Sequence, residues 1–530
     1  MGTYVNPSNR QLLKALNNEI FVDKSMILTE LNKKFDSEGC FVCVSRPRRF
    51  GKTMVGNLIS AFYSKGADSR AIFEKLKIAG EPNWDERLNK FNVIKFDMNA
   101  FYGRYKKKGD VITHLTADIV AEMIKEFPSA HLEPDWDLSK AIINVFEETD
   151  VPFVIIIDEY DVMVRERVPA DEFDDYLTML NNLFKSDDCS SAIALAYITG
   201  IMPIVKDRVE SKLNNFHEYT MLDPQELAPY IGFTLEEVKD LCEQFKMDYD
   251  ECVRWYDGYQ IAPKVSICNS NSVCRAISSH KFANYWNRTG AYAAISDYVK
   301  MDFDGIKEDI AKMIGGGRAP VSISAFSNTL SDLGDKNRVF TYLIHLGYLT
   351  YKEKNSEGDG WASIPNGEIR NEWKTAIGDM KDMTPVVEMI QNSERLLEAT
   401  LKCDEQAVAE ALDKAHKYCT SAANYKNEGA LQSAVGLAYF SATSRYTIRR
   451  ELFAGDGYAD IALDPYIKGM PGIIIELKYN KSAESGLAQI KEMGYAKAFK
   501  GYKGPVYIVA ISFGERTESH TCKIETVEAV

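Results

Sequence analysis

Four short runs that are almost wholly apolar punctuate the first 225 residues, at 40–44, 92–96, 151–157 and 192–198. Between them lie stretches such as 54–63 and 111–127, whose apolar residues recur at helical spacing. A strand that is apolar on both sides must be covered on both faces, and strands alternating with helices favour parallel connections. Residues 1–225 are therefore expected to form an α/β domain around a parallel sheet. From 226 to 400 helical patterns dominate, at 234–245, 272–278, 306–314 and 338–346, interrupted by turn clusters such as Asp257-Gly258 and Gly315-Gly316-Gly317. This stretch is read as a helical linking or regulatory domain. From 401 to 530 two helical patterns (404–418, 428–440) precede strand-like runs at 446–452, 459–463 and 472–477. A helix at 485–497 and an apolar strand at 506–511 follow. That is a second, smaller α/β unit.

Charge changes this picture only locally. The chain is acidic, at −14 over 530 residues, which argues against indiscriminate wrapping of a polyanion. Residues 421–530 are the exception. They hold 13 basic and 12 acidic residues, leaving 50 against 65 for the rest. The last segment is the part least hostile to a phosphate backbone. An apolar content of 45% is that of an ordinary globular protein. No apolar run approaches the roughly 18 residues of a membrane helix, so no membrane partner is expected. Of the ten cysteines only Cys40 and Cys43 form a C-x-x-C pair. Without a second pair or matching histidines, they read as core thiols of a strand in a reduced, cytoplasmic protein.

The first candidate site is Arg46-Pro47-Arg48-Arg49-Phe50-Gly51-Lys52-Thr53, which follows a strand and opens a helix. That is the context of a phosphate-binding P-loop. Backbone N–H groups at a helix start face phosphate oxygens, and the helix dipole adds to the attraction. Lys52 would reach the outer phosphates of ATP, and Thr53 would offer its hydroxyl to Mg²⁺. Arg46 stands where the usual motif has its first glycine, so the loop must turn differently. Its three arginines are open to three uses: phosphate contact, a neighbouring subunit of a homo-oligomer, or solvent. The run Val154-Ile155-Ile156-Ile157-Asp158-Glu159 is an apolar strand ending in two carboxylates. Asp158 would hold Mg²⁺ and Glu159 would polarise the attacking water. Thr199, at the tip of a further strand, is placed to sense the terminal phosphate, with Arg208 and Lys212 beyond it as cationic candidates.

The second candidate site is Asp460 with Glu476 and Lys478. Strand alternation puts residues 476 and 478 on one face, and a neighbouring strand would bring Asp460 beside them. Two carboxylates make an oxygen-rich site suited to Mg²⁺ or Mn²⁺. Lys478 would then steady the charge on a cleaved phosphodiester. Glu428 is an upstream candidate ligand, and Gln489 and Tyr495 lie on the following helix.

Together these pieces resemble a bacterial and archaeal family that joins an AAA-ATPase-like domain to a C-terminal PD-(D/E)XK nuclease-superfamily domain. The resemblance is carried by Phe21-Val22-Asp23-Lys24-Ser25 and by the arginine-bearing P-loop from Ser45 to Thr53. It continues in Ile157-Asp158-Glu159-Tyr160-Asp161, Trp255-Tyr256-Asp257-Gly258-Tyr259 and Ile364-Pro365-Asn366-Gly367-Glu368. It ends in Tyr458-Ala459-Asp460 and Glu476-Leu477-Lys478-Tyr479. It implies a P-loop NTPase, a helical middle region and a restriction-endonuclease-like end, with ATP, a divalent metal and DNA or RNA as partners. It also supports Glu428 and Gln489 as accessory members of the second site. The chain departs from the family at Tyr458, where an arginine is expected, and at Leu431-Gln432, where a Tyr-His pair is expected. The reading is an ATP-hydrolysing protein with a metal-dependent nuclease domain. Its rival is a nucleotide-controlled switch whose nuclease-like domain only binds nucleic acid or a protein.

Overall fold

The structure is a computed structural model. It describes the chain except residues 1, 36, 205–213, 263–264, 287–304, 315–316, 325–333, 379–383, 420–427, 440, 443–444, 467–468 and 528–530. The chain divides into two compact units. One comprises Met1–Asn287 with Pro320–Glu368, the other Arg288–Ala319 with Ile369–Val530. The stretch 226–400 is thus shared between the two units.

The first unit is built on five parallel strands: Phe41–Ser45 (β1), Asn92–Asp97 (β2), Phe153–Asp158 (β3), Ile193–Gly200 (β4) and His217–Tyr219 (β5). Their order is β2-β3-β4-β1-β5. Every residue of β1, β3 and β4 is buried, as their unbroken apolar runs require. Helices Val111–Glu126, Leu138–Thr149 and Ala170–Phe184 cover one face, where Ile155 and Ile157 enter the core. Helix Lys52–Tyr63 packs against β2, β3 and β4. The order separates the P-loop strand β1 from the acidic strand β3 by one strand, β4. The parallel register lines up Asp97 with Asp158, Asp158 with Thr199, and Val44 with Thr199 at the C-terminal ends. Ligands of open parallel sheets bind at that edge.

The middle region is mainly helical, including Leu235–Phe245, Tyr249–Tyr256, Ser270–Ser279, Ile306–Ile314 and Lys336–His345. The first of these starts on a reciprocal cap. The Thr234 side chain accepts from the Glu237 N–H while the Glu237 carboxylate takes the Thr234 N–H. Two small sheets accompany the helices. Phe233–Thr234 (β6), Tyr259–Ala262 (β7) and Val265–Cys268 (β8) form one, ordered β6-β8-β7. Ala319–Ser322 (β9), Thr350–Glu353 (β10) and Asp359–Ser363 (β11) form the other, ordered β10-β11-β9.

The second unit carries a mixed sheet in sequential order: Tyr446–Ala454 (β12), Gly457–Pro465 (β13), Gly472–Tyr479 (β14), Val506–Gly514 (β15) and Ser519–Val527 (β16). Only β14 and β15 run parallel, joined through helix Ala483–Glu492; the other pairs are antiparallel. Helices Thr384–Leu401, Glu405–Cys419 and Glu428–Ala438 build the core on one face with Ile473, Ile475 and Leu477. Helix Ala483–Glu492 packs on the other with Ile474 and Ala510. Among the described residues, no helix is long and apolar enough to cross a membrane. Cys43 is buried in β1 and Cys40 is half-buried beside it.

Candidate functional site

At the C-terminal end of β1 the chain turns through the P-loop. Arg49 and Gly51 take positive φ, +71° and +92°, so the loop is bent by left-handed residues and Gly51 caps helix Lys52–Tyr63. Lys52 opens that helix with its ammonium turned back into the loop, donating to the Arg46 carbonyl at 3.0 Å and the Pro47 carbonyl at 3.1 Å. The Thr53 hydroxyl donates to Asp158 Oδ2 at 2.5 Å. Loop and acidic strand therefore meet as their sequence implies.

Glu159, one residue past β3, has φ +52°, a costly conformation for a side chain other than glycine. Its carboxylate lies 3.9 Å from Lys52 and accepts from Arg165 at 3.0 Å. Arg165 also bonds Asp161 at 3.1 Å, and Asp161 in turn accepts the N–H groups of Ile201 and Met202 just past β4. Arg165 has no motif of its own in the sequence. One turn of helix, Val162–Arg165, aims it back at the strand end. Burial pushes Asp158 up, against the Thr53 hydrogen bond and Lys52. Burial also works against the Glu159 carboxylate, but Lys52 and Arg165 prevail and hold its carboxyl below the usual range. The Lys52 ammonium is lowered by burial despite Glu159 and Asp158.

These groups floor a cavity of about 720 Å³, large enough for a nucleoside triphosphate. Its polar end holds Lys52, Thr53, Asp158, Glu159 and Arg165. Its apolar end is lined by Ile20, Phe21, Val22, Leu58 and Phe233. The P-loop arginines divide. Arg48 and Arg49, with Phe50 and Gly51, line the cavity. Arg46 and Pro47 do not. The Arg46 side chain is wholly buried, and its Nη1 donates to the carbonyls of Ser45, Tyr219 and Thr220 at 2.8, 3.0 and 2.8 Å. It ties the end of β1 to the end of β5, a structural use outside the three left open from sequence. Burial brings its guanidinium down to about 10, and burial together with Arg46 pushes the His345 imidazole down to about 3. Thr199 is fully buried beside Asp158. Arg208 and Lys212 lie outside the described residues.

In the second unit, the β13–β14 register pairs Ile461 with Ile475 and so leads Asp460 toward Glu476. Asp460 Oδ2 accepts the Leu477 N–H at 2.8 Å, and Lys478 Nζ bonds Glu476 Oε1 at 2.7 Å with both side chains buried. All three residues are thus gathered at one place on adjacent strands. A Cβ on Gly486 would fall 3.5 Å from Lys478 Cγ, 3.7 Å from Glu476 Cγ and 2.9 Å from Ala510 Cβ. The bare backbone there lets helix Ala483–Glu492 close over the pair. Gln432 donates to the Asp460 carbonyl at 3.0 Å, which fastens helix Glu428–Ala438 to β13. Glu428 opens that helix one turn earlier, and its side chain lies outside the described residues. Gln489 donates to the Tyr495 hydroxyl at 3.4 Å. Among the described residues, no group of three or more His, Cys, Asp or Glu is arranged to hold a metal ion. Tyr458 stands 63% exposed at the outer end of β13.

Comparison with known proteins fits this geometry. Residues 13–210 match the family described as Predicted AAA-ATPase, and residues 426–522 match the PD-(D/E)XK nuclease superfamily. The chain is 22% identical over 283 residues to an "Uncharacterized protein in vnfD 5'region" of Azotobacter chroococcum mcd 1, a match covering 52% of each. It thus spans about half the length of that relative. Two solved structures from Aeropyrum pernix are loosely similar. They are the ORC1 protein in complex with DNA (13% identity, TM-score 0.28, 71% of this chain and 98% of that one) and the ORC2 protein in ADPNP-ADP complexes (10%, 0.31, 71% and 97%). Likeness at that level says nothing about activity. What the matched segments do establish is the domain order: a segment matching the predicted AAA-ATPase family model is followed by one matching the PD-(D/E)XK nuclease superfamily model.

Proposed function

We propose that the first domain binds and hydrolyses ATP with Mg²⁺, and that the second cleaves phosphodiesters of DNA or RNA under control of that nucleotide. The observation that carries the reading is the contact of Thr53 with Asp158 beneath Lys52, on the floor of a cavity of triphosphate size. The donor set fits magnesium: a hydroxyl and a carboxylate, both hard oxygens, meet at one point. The ion would supply charge neutralisation between the outer phosphates. Lys52 neutralises the terminal phosphate. Glu159, kept ionised by Lys52 and Arg165, takes the proton of the attacking water. Arg165 and Asp161 join that carboxylate by hydrogen bonds to the backbone of Ile201 and Met202 just past β4.

In the second domain Asp460 and Glu476 offer oxygen ligands for Mg²⁺ or Mn²⁺, which would supply Lewis-acid polarisation of the phosphate. Lys478 sits against Glu476, where it balances the carboxylate and faces the charge that develops on cleavage. The same 2.7 Å pairing favours the rival reading, a nuclease fold that only binds, because an ammonium already occupies one carboxylate oxygen.

The test is ATP turnover and loss of DNA and RNA substrates across Mg²⁺ and Mn²⁺, in four proteins. Lys52→Ala is expected to abolish turnover. Asp460→Ala and Lys478→Ala are expected to abolish cutting and spare turnover. Cutting that persists in both site variants, or is absent from the wild type under every metal, removes the nuclease reading. Turnover that survives Lys52→Ala removes the ATPase reading.

A further inference from the structure

The hairpin β12–β13 leads to Asp460 and carries two large aromatic side chains in water. Phe453 is 65% exposed and Tyr458 is 63% exposed, well above the other exposed large hydrophobic residues described. They are directly opposed in the antiparallel register, with ring centroids 5.2 Å apart and planes at 63°. Isolated exposed apolar residues need no explanation, but a matched pair on a rigid support does. The support is rigid. Ala454 pairs with Gly457 across a two-residue turn, Gly455-Asp456, and the Asp456 N–H donates to the Met493 carbonyl at 3.0 Å. The hairpin tip is thereby tied to the end of helix Ala483–Glu492.

Position gives the pair its meaning. Along β13, Tyr458 is exposed and Asp460, two residues on, is half-buried. Residues two apart on a strand are separated by about 7 Å. The aromatic pair therefore begins one short step along β13 from the acidic site. The adjoining segment Tyr495–Lys503, which packs against β12 and β13 at its start, reads Tyr-Ala-Lys-Ala-Phe-Lys-Gly-Tyr-Lys. Its three lysines, 497, 500 and 503, are exposed and no carboxylate stands among them. Exposed rings beside a cationic edge match a polymer with flat bases and a phosphate backbone. They match it only where the bases are unpaired, because paired bases hide their faces in the stack.

We infer that Phe453 and Tyr458 form a stacking platform for unpaired nucleobases. The platform would select a single strand for the Asp460–Glu476–Lys478 site, with Lys497, Lys500 and Lys503 tracking its phosphates. This rests on the nuclease reading above for what happens at the acidic site, but not for the binding itself. A base laid on the hairpin places the neighbouring phosphodiester toward Asp460, and a duplex is excluded because neither ring can reach a base face.

The test is equilibrium binding of the full-length protein to a single-stranded oligonucleotide carrying 2-aminopurine, and to the same sequence as duplex, with EDTA present so that no cutting occurs. Four proteins are compared: wild type, Phe453→Ala/Tyr458→Ala, Tyr458→Trp and Lys497→Ala/Lys500→Ala/Lys503→Ala. The rings are in solvent, so thermal unfolding should be unchanged in all four. The alanine pair is expected to bind the single strand at least tenfold more weakly and lose the 2-aminopurine quenching, with duplex binding unaltered. Tyr458→Trp is expected to restore or strengthen quenching. The triple lysine variant is expected to lose affinity and show a shallower salt dependence. The inference is overturned by equal loss on single strand and duplex, or by unchanged single-strand affinity in the alanine pair. It is also overturned if the pair alters only self-association in sedimentation, which would make the patch a protein contact. A separate Asp460→Ala arm with Mn²⁺ keeps the two readings apart. If cutting does not depend on Asp460 while binding still depends on the rings, the nuclease reading fails and the platform stands.

Discussion

Lys95 on β2 lies behind the acidic edge, with its ammonium donating to Asn57 Oδ1 on helix Lys52–Tyr63 and Asp158 and Asp97 nearby. Burial lowers it from 10.5 to about 8 against the pull of those two carboxylates. The unfolded chain therefore takes up this proton near pH 10.5 on the way down, and the folded chain only near pH 8. Stability linked to Lys95 is complete above about pH 10.5 and is lost as pH falls through about 8. The gap corresponds to about 3 kcal/mol, which we discount to roughly 2–3 kcal/mol because the side chain is only partly buried by area. Lys95→Met keeps the length and removes the proton. At pH 7 it escapes that cost but forfeits a charged hydrogen bond worth about 1.5 kcal/mol, for a net gain near 1 kcal/mol. At pH 10.5 the gain has gone, folded Lys95 is neutral, and the variant is the less stable by the neutral hydrogen bond it lacks, about 1 kcal/mol. Urea unfolding followed by fluorescence at intervals from pH 7 to 10.5 reads both proteins. Only their difference is used, since tyrosines and cysteines titrate in the same window. A difference that stays flat, or that moves in favour of the variant as pH rises, would refute the reasoning.

Other substitutions probe the rest of the machinery. Glu159→Gln is expected to retain ATP binding, measured by calorimetry, and to lower turnover by at least a hundredfold. Arg165→Met removes one of the three cations, Lys52, Arg165 and Arg48, that hold the Glu159 carboxyl down. The acid limb of the ATPase pH profile should move to higher pH, because Glu159 then takes up its proton earlier as pH falls; an unmoved limb would assign that limb to another group. Arg46→Gly restores the glycine of the usual P-loop but opens a buried space and orphans carbonyls at Tyr219 and Thr220. A loss of roughly 3–5 kcal/mol in denaturant unfolding is expected rather than a gain. Gly486→Ala drives a methyl to 2.9 Å from Ala510 Cβ, with an expected cost of about 1–3 kcal/mol and weaker Mn²⁺ binding if the helix is displaced.

Much of this was open to reading from the chain itself. The apolar runs at 92–96 and 151–157 became β2 and β3, and of the two carboxylates after the second run Asp158 meets Thr53 while Glu159 faces Lys52 and Arg165. Alternation was enough to put Glu476 and Lys478 together, and the run at 459–463 supplied Asp460. The short strand His217–Tyr219 was not legible: three residues carry no periodicity. For the same reason the role of Arg46 was hidden, since its acceptors lie 173 and 174 residues further on. Arg165 escaped because it matters only through one turn of helix that folds it back on Glu159. The aromatic pair at 453 and 458 likewise depends on a hairpin register that no single position announces.

The way Lys52 is seated gives the proposed nucleotide site a built-in optical readout. To meet a phosphate, its ammonium must let go of the carbonyls of Arg46 and Pro47. Arg46 is bolted to β5, so the peptide that has slack is the one carrying Pro47. The Pro47 ring lies against Gly347, close enough that a Cβ there would come within 2.9 Å of it, and Gly347 also abuts the indole of Trp286. That indole is buried and donates to the Tyr348 hydroxyl at 3.0 Å. An intrinsic fluorophore therefore sits two contacts from the P-loop, and if the proposed ATP site fills, titrating ATP while watching its emission should report the loop's rearrangement without any added label.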